Sequence, residues 1–429
     1  MNIPLNPMPR PAAPPKPAGP EPYRLLFPLG VVYGLAAALV WPLFAAGWIP
    51  YPGLLHMQLM IEGFELCFVL GFYLTAMPAF THAERCRPIE LGLAVASAML
   101  LGACAAGGWA AGAHACFTAG VVLLVAATAR RTRGNPMQPP EEFQFVYLGL
   151  ALGLAGGALQ VAASTGWLVE PAPRLGLRLA SLGMELSMVL GLGSLLVPTF
   201  AGMPRPMVIR GIAQPGERAP RRRLYLPLAA AMLLAFVSEA LGLPLVGAWL
   251  RAASASAVAL MVWKIYLLPG RRDATGFSLW GSGWMVVAGL WGAVAFPARA
   301  VAFHHAVFIG GFGLITLGIA TRVVVTHGGY ALTREKRLLG PATALAVLLS
   351  LAARLGAEVP LQQSSRAWVM GLGISGALWA VAWVLWSSGA AGPIVRRDPA
   401  GPHAPAPPGE PAARVEALPR GATSRLREG

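Results

Sequence analysis

The chain has 429 residues, of which 56% are hydrophobic and only 12% are charged, and its formal net charge is +15. A soluble globular domain carries about 25% charged residues, so this composition excludes a soluble domain and indicates a helical membrane protein. The apolar runs are unbroken rather than alternating, which excludes a transmembrane barrel. The arginines lie in short loops between these runs, so the positive charge points to membrane orientation and not to nucleic acid binding.

Apolar runs of about 20 residues, long enough to cross a bilayer, follow a Pro-rich segment at residues 1–22. The chain from 390 to 429 is rich in Pro, Ala and Arg, and we expect both tails to be disordered. The fold class is therefore all-α, a polytopic membrane domain over residues 23–389. Its predicted helices cover residues 24–48, 57–80, 89–108, 113–129, 143–166, 177–200, 225–243, 247–268, 277–296, 302–325, 339–356 and 367–388.

Helices 2 and 6 share a motif that recurs after 120 residues. Glu-Leu-x-x-Val-Leu-Gly, followed by Pro-x-Phe, begins at Glu65 and again at Glu185. A further step of this size reaches helix 10, which carries His304 and His305. The repeat predicts three four-helix units, and the second helix of each unit carries the polar groups.

Arginine and lysine concentrate in every second loop, which by the positive-inside rule places both termini in the cytoplasm. This topology puts His56, His304 and His305 at the outer ends of helices 2 and 10, and Arg322 and His327 at the cytoplasmic end of helix 10. The loops predicted to be cytoplasmic hold Arg85, Arg87, Arg130, Arg131, Arg133, Arg205 to Arg223, Arg271, Arg272, Arg334, Lys336 and Arg337.

A histidine with a glycine two turns deeper occurs in both helix 2 and helix 10. On a helical wheel His56 shares a stripe with Gly63, and His304 shares one with Gly311, while His305 points about 100° away. Imidazole is the usual ligand of haem iron, and small residues beneath it let a porphyrin approach the backbone. Two such helices could hold a haem between them. Alternatively, the histidines face lipid headgroups and the glycines serve helix packing.

Metal binding has a second candidate beside haem. Met60 lies one turn after His56, and a His-x3-Met pair could bind copper, although a methionine on an apolar face is commonly a core residue. The four cysteines show no C-x-x-C spacing, and we interpret them as small core residues.

Three glutamates, Glu62, Glu65 and Glu185, lie inside predicted membrane helices, where ionisable groups are costly. Glu65 lies about 13 Å below His56 by helix rise, and the wheel places it on the opposite face. These carboxylates could form a proton path or hydrogen-bond a histidine. They could also form structural pairs, for example between Arg178 and Glu185.

The same features suit other functions. A secondary transporter for an ion, a metal or haem would use the intramembrane glutamates directly. A membrane assembly factor would need no chemistry of its own. The chain contains no Walker A run, no G-x-S-x-G and no H-E-x-x-H, so nothing in it supports an active site of the kind found in soluble enzymes. Whether the protein is an enzyme stays open.

Two stretches of the chain resemble the NnrS family of bacterial membrane proteins. Helix 10 reads HAVFIGGFGLITLGIATR over residues 305–322, followed by THG at 326–328, and helix 2 reads GFYLTAMP over residues 71–78. The resemblance departs from the family at the start of helix 2, where Gln58 and Leu59 replace a second histidine and a glutamate.

The resemblance implies about twelve helices in the bacterial inner membrane, haem and copper as cofactors, and a link to nitric oxide and nitrosative stress. A redox partner or respiratory complex would then be the partner beside the lipid bilayer. The architecture is distantly similar to the main subunit of haem–copper oxidases, which implies a haem between His56 and either His305 or His304. Helix 6 offers Glu185 and no histidine, so we expect no binuclear centre. Arg322 and His327 could serve a second site or simply face the interface.

Overall fold

The computed structural model describes residues 21–81, 83–133, 139–203, 215–358 and 365–396. Helices make up most of these residues, and no strand occurs among them. The tails predicted at 1–22 and 390–429 fall largely outside this part of the chain. The division into a membrane domain and two disordered tails therefore stays a prediction.

Eleven helices in the described ranges are long and apolar enough to cross a membrane, and a bent pair makes twelve. This confirms a polytopic all-α membrane protein. The bent pair consists of the helices Leu332–Leu338 and Pro341–Gly356, which meet at 44°. In chain order the helices are α1 (Tyr23–Ala45), α2 (Gly53–Pro78), α3 (Pro88–Ala106), α4 (Ala110–Thr132), α5 (Phe143–Ser164), α6 (Ala172–Phe200), α7 (Pro215–Ala240), α8 (Pro244–Trp263), α9 (Ala274–Ala295), α10 (Pro297–His327), α11 (Pro341–Gly356) and α12 (Arg366–Val395).

The C-terminal ends of α8 and α12 differ most from the predicted helix ends. Helix α8 stops at Trp263 rather than at residue 268, because Lys264 adopts a left-handed conformation with φ 54°. The carbonyl of Ile265 beyond this break accepts hydrogen bonds from the indole N–H groups of Trp280 and Trp284, at 2.7 and 3.0 Å. Helix α12 continues past the predicted residue 388 to Val395. The end of α8 thus depends on partners distant in sequence, which a hydropathy pattern does not contain.

The second helix of each unit lies at the centre of the bundle. In their most apolar windows α2, α6 and α10 have 83%, 94% and 72% of residues buried, against at most 50% in α1, α3, α4, α5, α7, α8, α9 and α12. Helices α2 and α6 contact each other, and α10 contacts both. Helix α12 packs along α1, so the last unit closes against the first. The helices predicted to carry the polar groups are therefore the inner ones.

Each central helix contains π-helical turns in the same part of its unit. These turns cover Gln58–Glu65 in α2, Leu179–Glu185 in α6 and Ala306–Gly313 in α10. A π-helix advances about 82° per residue instead of 100°, because its hydrogen bonds run from i to i+5. Side chains that follow these turns therefore point in other directions than an α-helical wheel predicts.

An aromatic cluster joins α2 to α12. The ring of Phe64 lies 4.9 Å from Trp383 between centroids, and Phe68 lies 5.1 Å from the same indole. Gly34 of α1 makes room for Phe64, because a Cβ atom there would come within 2.7 Å of that ring. Each aromatic pair contributes about 0.5–1.5 kcal/mol beyond its buried area, so this contact stabilises the closure of the ring of helices.

The two ends of the bundle differ in composition. We call the end with loops 46–52, 107–109 and 165–171 the histidine end, and the opposite end the arginine end. Trp48, Trp109 and Trp167 at the histidine end expose 77%, 65% and 85% of their surface. Tryptophan is enriched where a membrane meets water, so these side chains fit a membrane–water interface.

Candidate functional site

A cavity of about 990 Å³ opens at the histidine end, between the central helices and α1, α4, α5, α11 and α12. Apolar side chains such as Trp41, Phe308 and Trp379 form part of its wall. It brings together five residues that the sequence analysis selected from two different helices. These are His56, Met60, Glu65, His304 and His305.

His56 and His305 face each other across this cavity. Their ring centroids lie 6.5 Å apart, and the ring planes are within 15° of parallel. The Nδ1 atom of His56 lies 2.8 Å from the carbonyl oxygen of Ala37, and that of His305 lies 2.7 Å from the carbonyl oxygen of Val301. An Nδ1–H group that donates to a carbonyl leaves the lone pair of a neutral imidazole on Nε2. Both rings are thus held in the tautomer of a metal ligand.

The separation of these rings fits one metal ion between them. A metal lies about 2 Å from an imidazole nitrogen, which itself lies about 1.2 Å from the ring centre, so two opposed ligands have centres roughly 6.4 Å apart. Among the described residues no group of three or more His, Cys, Asp or Glu side chains is placed to hold a metal ion. Haem iron needs only two protein ligands, because the porphyrin supplies the others. The donor set therefore suits haem.

His304 lines the same cavity on another side. It interacts electrostatically with Arg251 and Arg178, whereas His305 interacts with Arg354, His56 and His304 itself. The sequence left the choice between His304 and His305 open. The geometry places His305, and not its neighbour, opposite His56.

A buried pair at the cavity shows one of the roles considered for the glutamates, a hydrogen bond to a histidine, with a partner that the sequence analysis did not select. The Nδ1 atom of His114 in α4 is 2.6 Å from an Oε1 of Glu62 in α2, and both side chains are at most 3% exposed. The signal in the sequence was two ionisable residues inside apolar runs. Their pairing depends on the rotation of both helices, which the runs do not reveal.

Glu65 lies on another face than predicted, and Glu185 is buried close to it. The wheel placed Glu65 on the face opposite His56, but both residues line the cavity, because the π-helical turns between them reduce the rotation per residue. Glu185 lies behind the cavity wall, buried, and interacts electrostatically with Glu65. Its Oε1 atom has no hydrogen-bond partner in the described part of the chain.

The ion pair suggested between Arg178 and Glu185 is not found, because Arg178 has another partner. Arg178 donates instead to Glu239 of α7 at 3.1 Å, and Glu239 also accepts from Arg251 of α8 at 2.6 Å. This network links the second unit to the wall of the cavity. The wheel could not find it, because its members lie on three different helices.

Gly63 and Gly311 lie away from the cavity wall, although the sequence analysis placed a porphyrin beside them. A Cβ atom on Gly63 would come within 2.7 Å of the Tyr33 ring, and one on Gly311 within 2.7 Å of Val286. Both glycines let neighbouring helices approach closely, which is the packing alternative considered for them.

We therefore expect Gly63→Ala to lower stability without changing the cavity. Overpacking a core site costs about 1–3 kcal/mol, so the melting temperature in detergent should fall, while cofactor content per folded protein stays unchanged. Gly92→Ala is the matched control, because a Cβ atom at Gly92 meets nothing within 4 Å. If Gly63→Ala melts like the wild type and loses cofactor, Gly63 contacts the cofactor after all.

Arg322 and His327, the candidates for a second site, lie at the arginine end. Arg322 pairs with Glu335 at 2.7 Å and stacks on Phe200, with its guanidinium carbon 4.7 Å from the ring centroid. The Nδ1 atom of His327 lies 3.7 Å from a carboxylate oxygen of Glu21. The contacts of both residues tie helices together.

The cavity wall is rich in charge that the sequence analysis did not assign to the site. Arg354 and Glu358 form an ion pair at 2.8 Å on this wall. Arg354 is one of the few basic residues between the arginine-rich loops, on the side of the membrane that the charge pattern predicts to be outside. Among the described residues, the charged side chains on the wall are Arg174, Arg178, Arg299, Arg354, Glu65 and Glu358.

Comparison with known protein families identifies a match over most of the chain. The family model described as NnrS protein matches residues 19–397, which is most of the chain and includes every helix of the bundle. No curated protein matches the chain.

Proposed function

Because the chain belongs to the NnrS family, we propose that it is a multi-pass membrane haem protein acting in nitric oxide or respiratory metabolism. In this proposal His56 and His305 would hold the haem iron. The observation that carries it is the separation of 6.5 Å between two nearly parallel imidazole rings at the wall of one cavity. The carbonyl partners of both Nδ1 atoms support it, since metal-bound histidines usually donate their other N–H group in this way.

The residues around the histidines would control what the site can do. Haem, when bound, supplies one-electron redox chemistry, and two histidine ligands favour electron transfer over gas binding at the iron. Trp41 packs against His56 with ring centroids 5.2 Å apart and restricts its rotation. Glu65 on the cavity wall, with Glu185 behind it, could exchange protons with water that enters the cavity.

We further propose that the chain lies in the bacterial inner membrane with both termini in the cytoplasm. The support is the concentration of arginine in loops at the arginine end. The cavity would then open on the outer side, where a redox partner or a respiratory complex could exchange electrons with the haem.

The optical spectrum of the protein tests this proposal. We expect protein purified in mild detergent from haem-supplied cells to show a Soret band and, after dithionite reduction, the sharp α and β bands of six-coordinate haem. Iron and copper are measured on the same sample, since Met60 beside His56 leaves a copper ion as a further cofactor to test. A colourless, iron-free protein would rule out the haem proposal.

One observation favours a transporter as the second candidate. Glu65 lines a cavity that opens at one end of the bundle, and the buried Glu185 has a carboxylate oxygen that lacks a hydrogen bond among the described residues. Buried carboxylates of this kind bind coupling ions or protons in transporters. Uptake into proteoliposomes that requires Glu65 and survives loss of His56 would support this candidate.

A further inference from the structure

The arginines of the cavity wall lie at its mouth, whereas Glu65 lies at its base. Arg174 and Arg178 lie in the first turns of α6, Arg299 lies at the start of α10, and Arg354 lies in the last turn of α11. Glu65 lies about 13 Å deeper than His56 along α2. Among the described residues, four arginines and two glutamates line the cavity.

Arg354 is the arginine of the cavity wall that interacts electrostatically with both His56 and His305. Its side chain is only 7% exposed. Its Nη1 atom donates to Glu358 at 2.8 Å, and the indole N–H of Trp368 lies 3.5 Å from the same carboxylate oxygen. A guanidinium has five N–H donors, so Arg354 retains donors for an anion in the cavity.

We propose that Arg354 binds a carboxylate of the haem and thereby orients it with both carboxylates at the mouth of the cavity. This inference rests on the proposed haem function. Haem is apolar except for two carboxylates, and a buried carboxylate is costly unless it is paired. The mouth offers arginine, which binds carboxylates through charge-assisted hydrogen bonds, whereas the base beside Glu65 has no cationic side chain among the described lining residues. The position of the arginines thus favours haem with its carboxylates at the mouth over haem with its carboxylates at the base.

Binding of haem and of haem dimethyl ester, which lacks the carboxylate charges, tests this inference. Each is titrated into the full chain, produced in haem-deficient cells and purified in detergent, and binding is read from the Soret band. We expect the wild type to prefer haem over the ester by about tenfold or more, and Arg354→Gln to lose about tenfold of this preference. Arg366→Gln is the matched control, because Arg366 is exposed, begins α12 and does not line the cavity.

A second variant keeps the test decisive if Arg354→Gln does not fold. Glu358→Gln removes the internal partner of Arg354 and one negative charge from the wall, so we expect the preference for haem to rise. A preference that falls in Glu358→Gln, or persists in folded Arg354→Gln, overturns the inference. Equal binding of haem and ester by the wild type overturns it as well, while ligation by His56 and His305 would stand. Failure of the wild type to bind either porphyrin would instead contradict the proposed function.

Discussion

His56→Ala and His305→Ala are each expected to lower bound haem by about tenfold or more, and to abolish the six-coordinate spectrum of the remainder. Each change removes one axial ligand and leaves the iron with a single histidine. The measurement is the haem-to-protein ratio, with reduced spectra recorded on monodisperse protein in detergent.

His304→Ala is the matched control for these variants. His304 is the chain neighbour of His305 and lines the same cavity, but its charged neighbours belong to the second unit. We therefore expect this variant to keep its haem and its spectrum. Loss of haem in His304→Ala with retention in His305→Ala would move the ligand to His304. Retention in all variants would reject axial ligation by these histidines.

Glu335→Gln is expected to destabilise the protein by about 3–5 kcal/mol, because it removes one partner from a buried network of charges. The carboxylate of Glu335 is fully buried and lies 2.5 Å from an Nη1 of Arg271 and 2.7 Å from the Nε of Arg322. Glutamine has nearly the same shape but no charge, so both arginines lose their shared counter-ion. The melting temperature in detergent, followed by tryptophan fluorescence, should fall clearly.

Glu84→Gln is the control for this change. Glu84 also pairs with two arginines, Arg87 and Arg130, each at 2.8 Å, but its side chain is 69% exposed. Water screens such pairs, so we expect the melting temperature to stay close to that of the wild type. If Glu335→Gln melts like Glu84→Gln, the network around Arg322 does not stabilise the fold, and a functional second site at Arg322 and His327 regains support.

The sequence by itself determined the membrane fold and the family. The thickness of the bilayer requires apolar runs of about 20 residues, and this requirement acts on each helix separately, so it can be read locally. The 120-residue repeat identified the second helix of each unit, and these helices are the central ones. The motif from His305 to Arg322 indicated the family that the match over residues 19–397 shows.

Only the tertiary structure decided which of these polar side chains meet. It placed His305 rather than His304 opposite His56, paired Glu62 with His114, and brought Arg354 to the cavity. The contacts depend on how far each helix is rotated and how deep it sits against its neighbours. The π-helical turns change that rotation within α2, α6 and α10, so a wheel of constant pitch placed Glu65 on the wrong face. Rotation and depth follow from packing across the whole bundle, and no single stretch of sequence contains them.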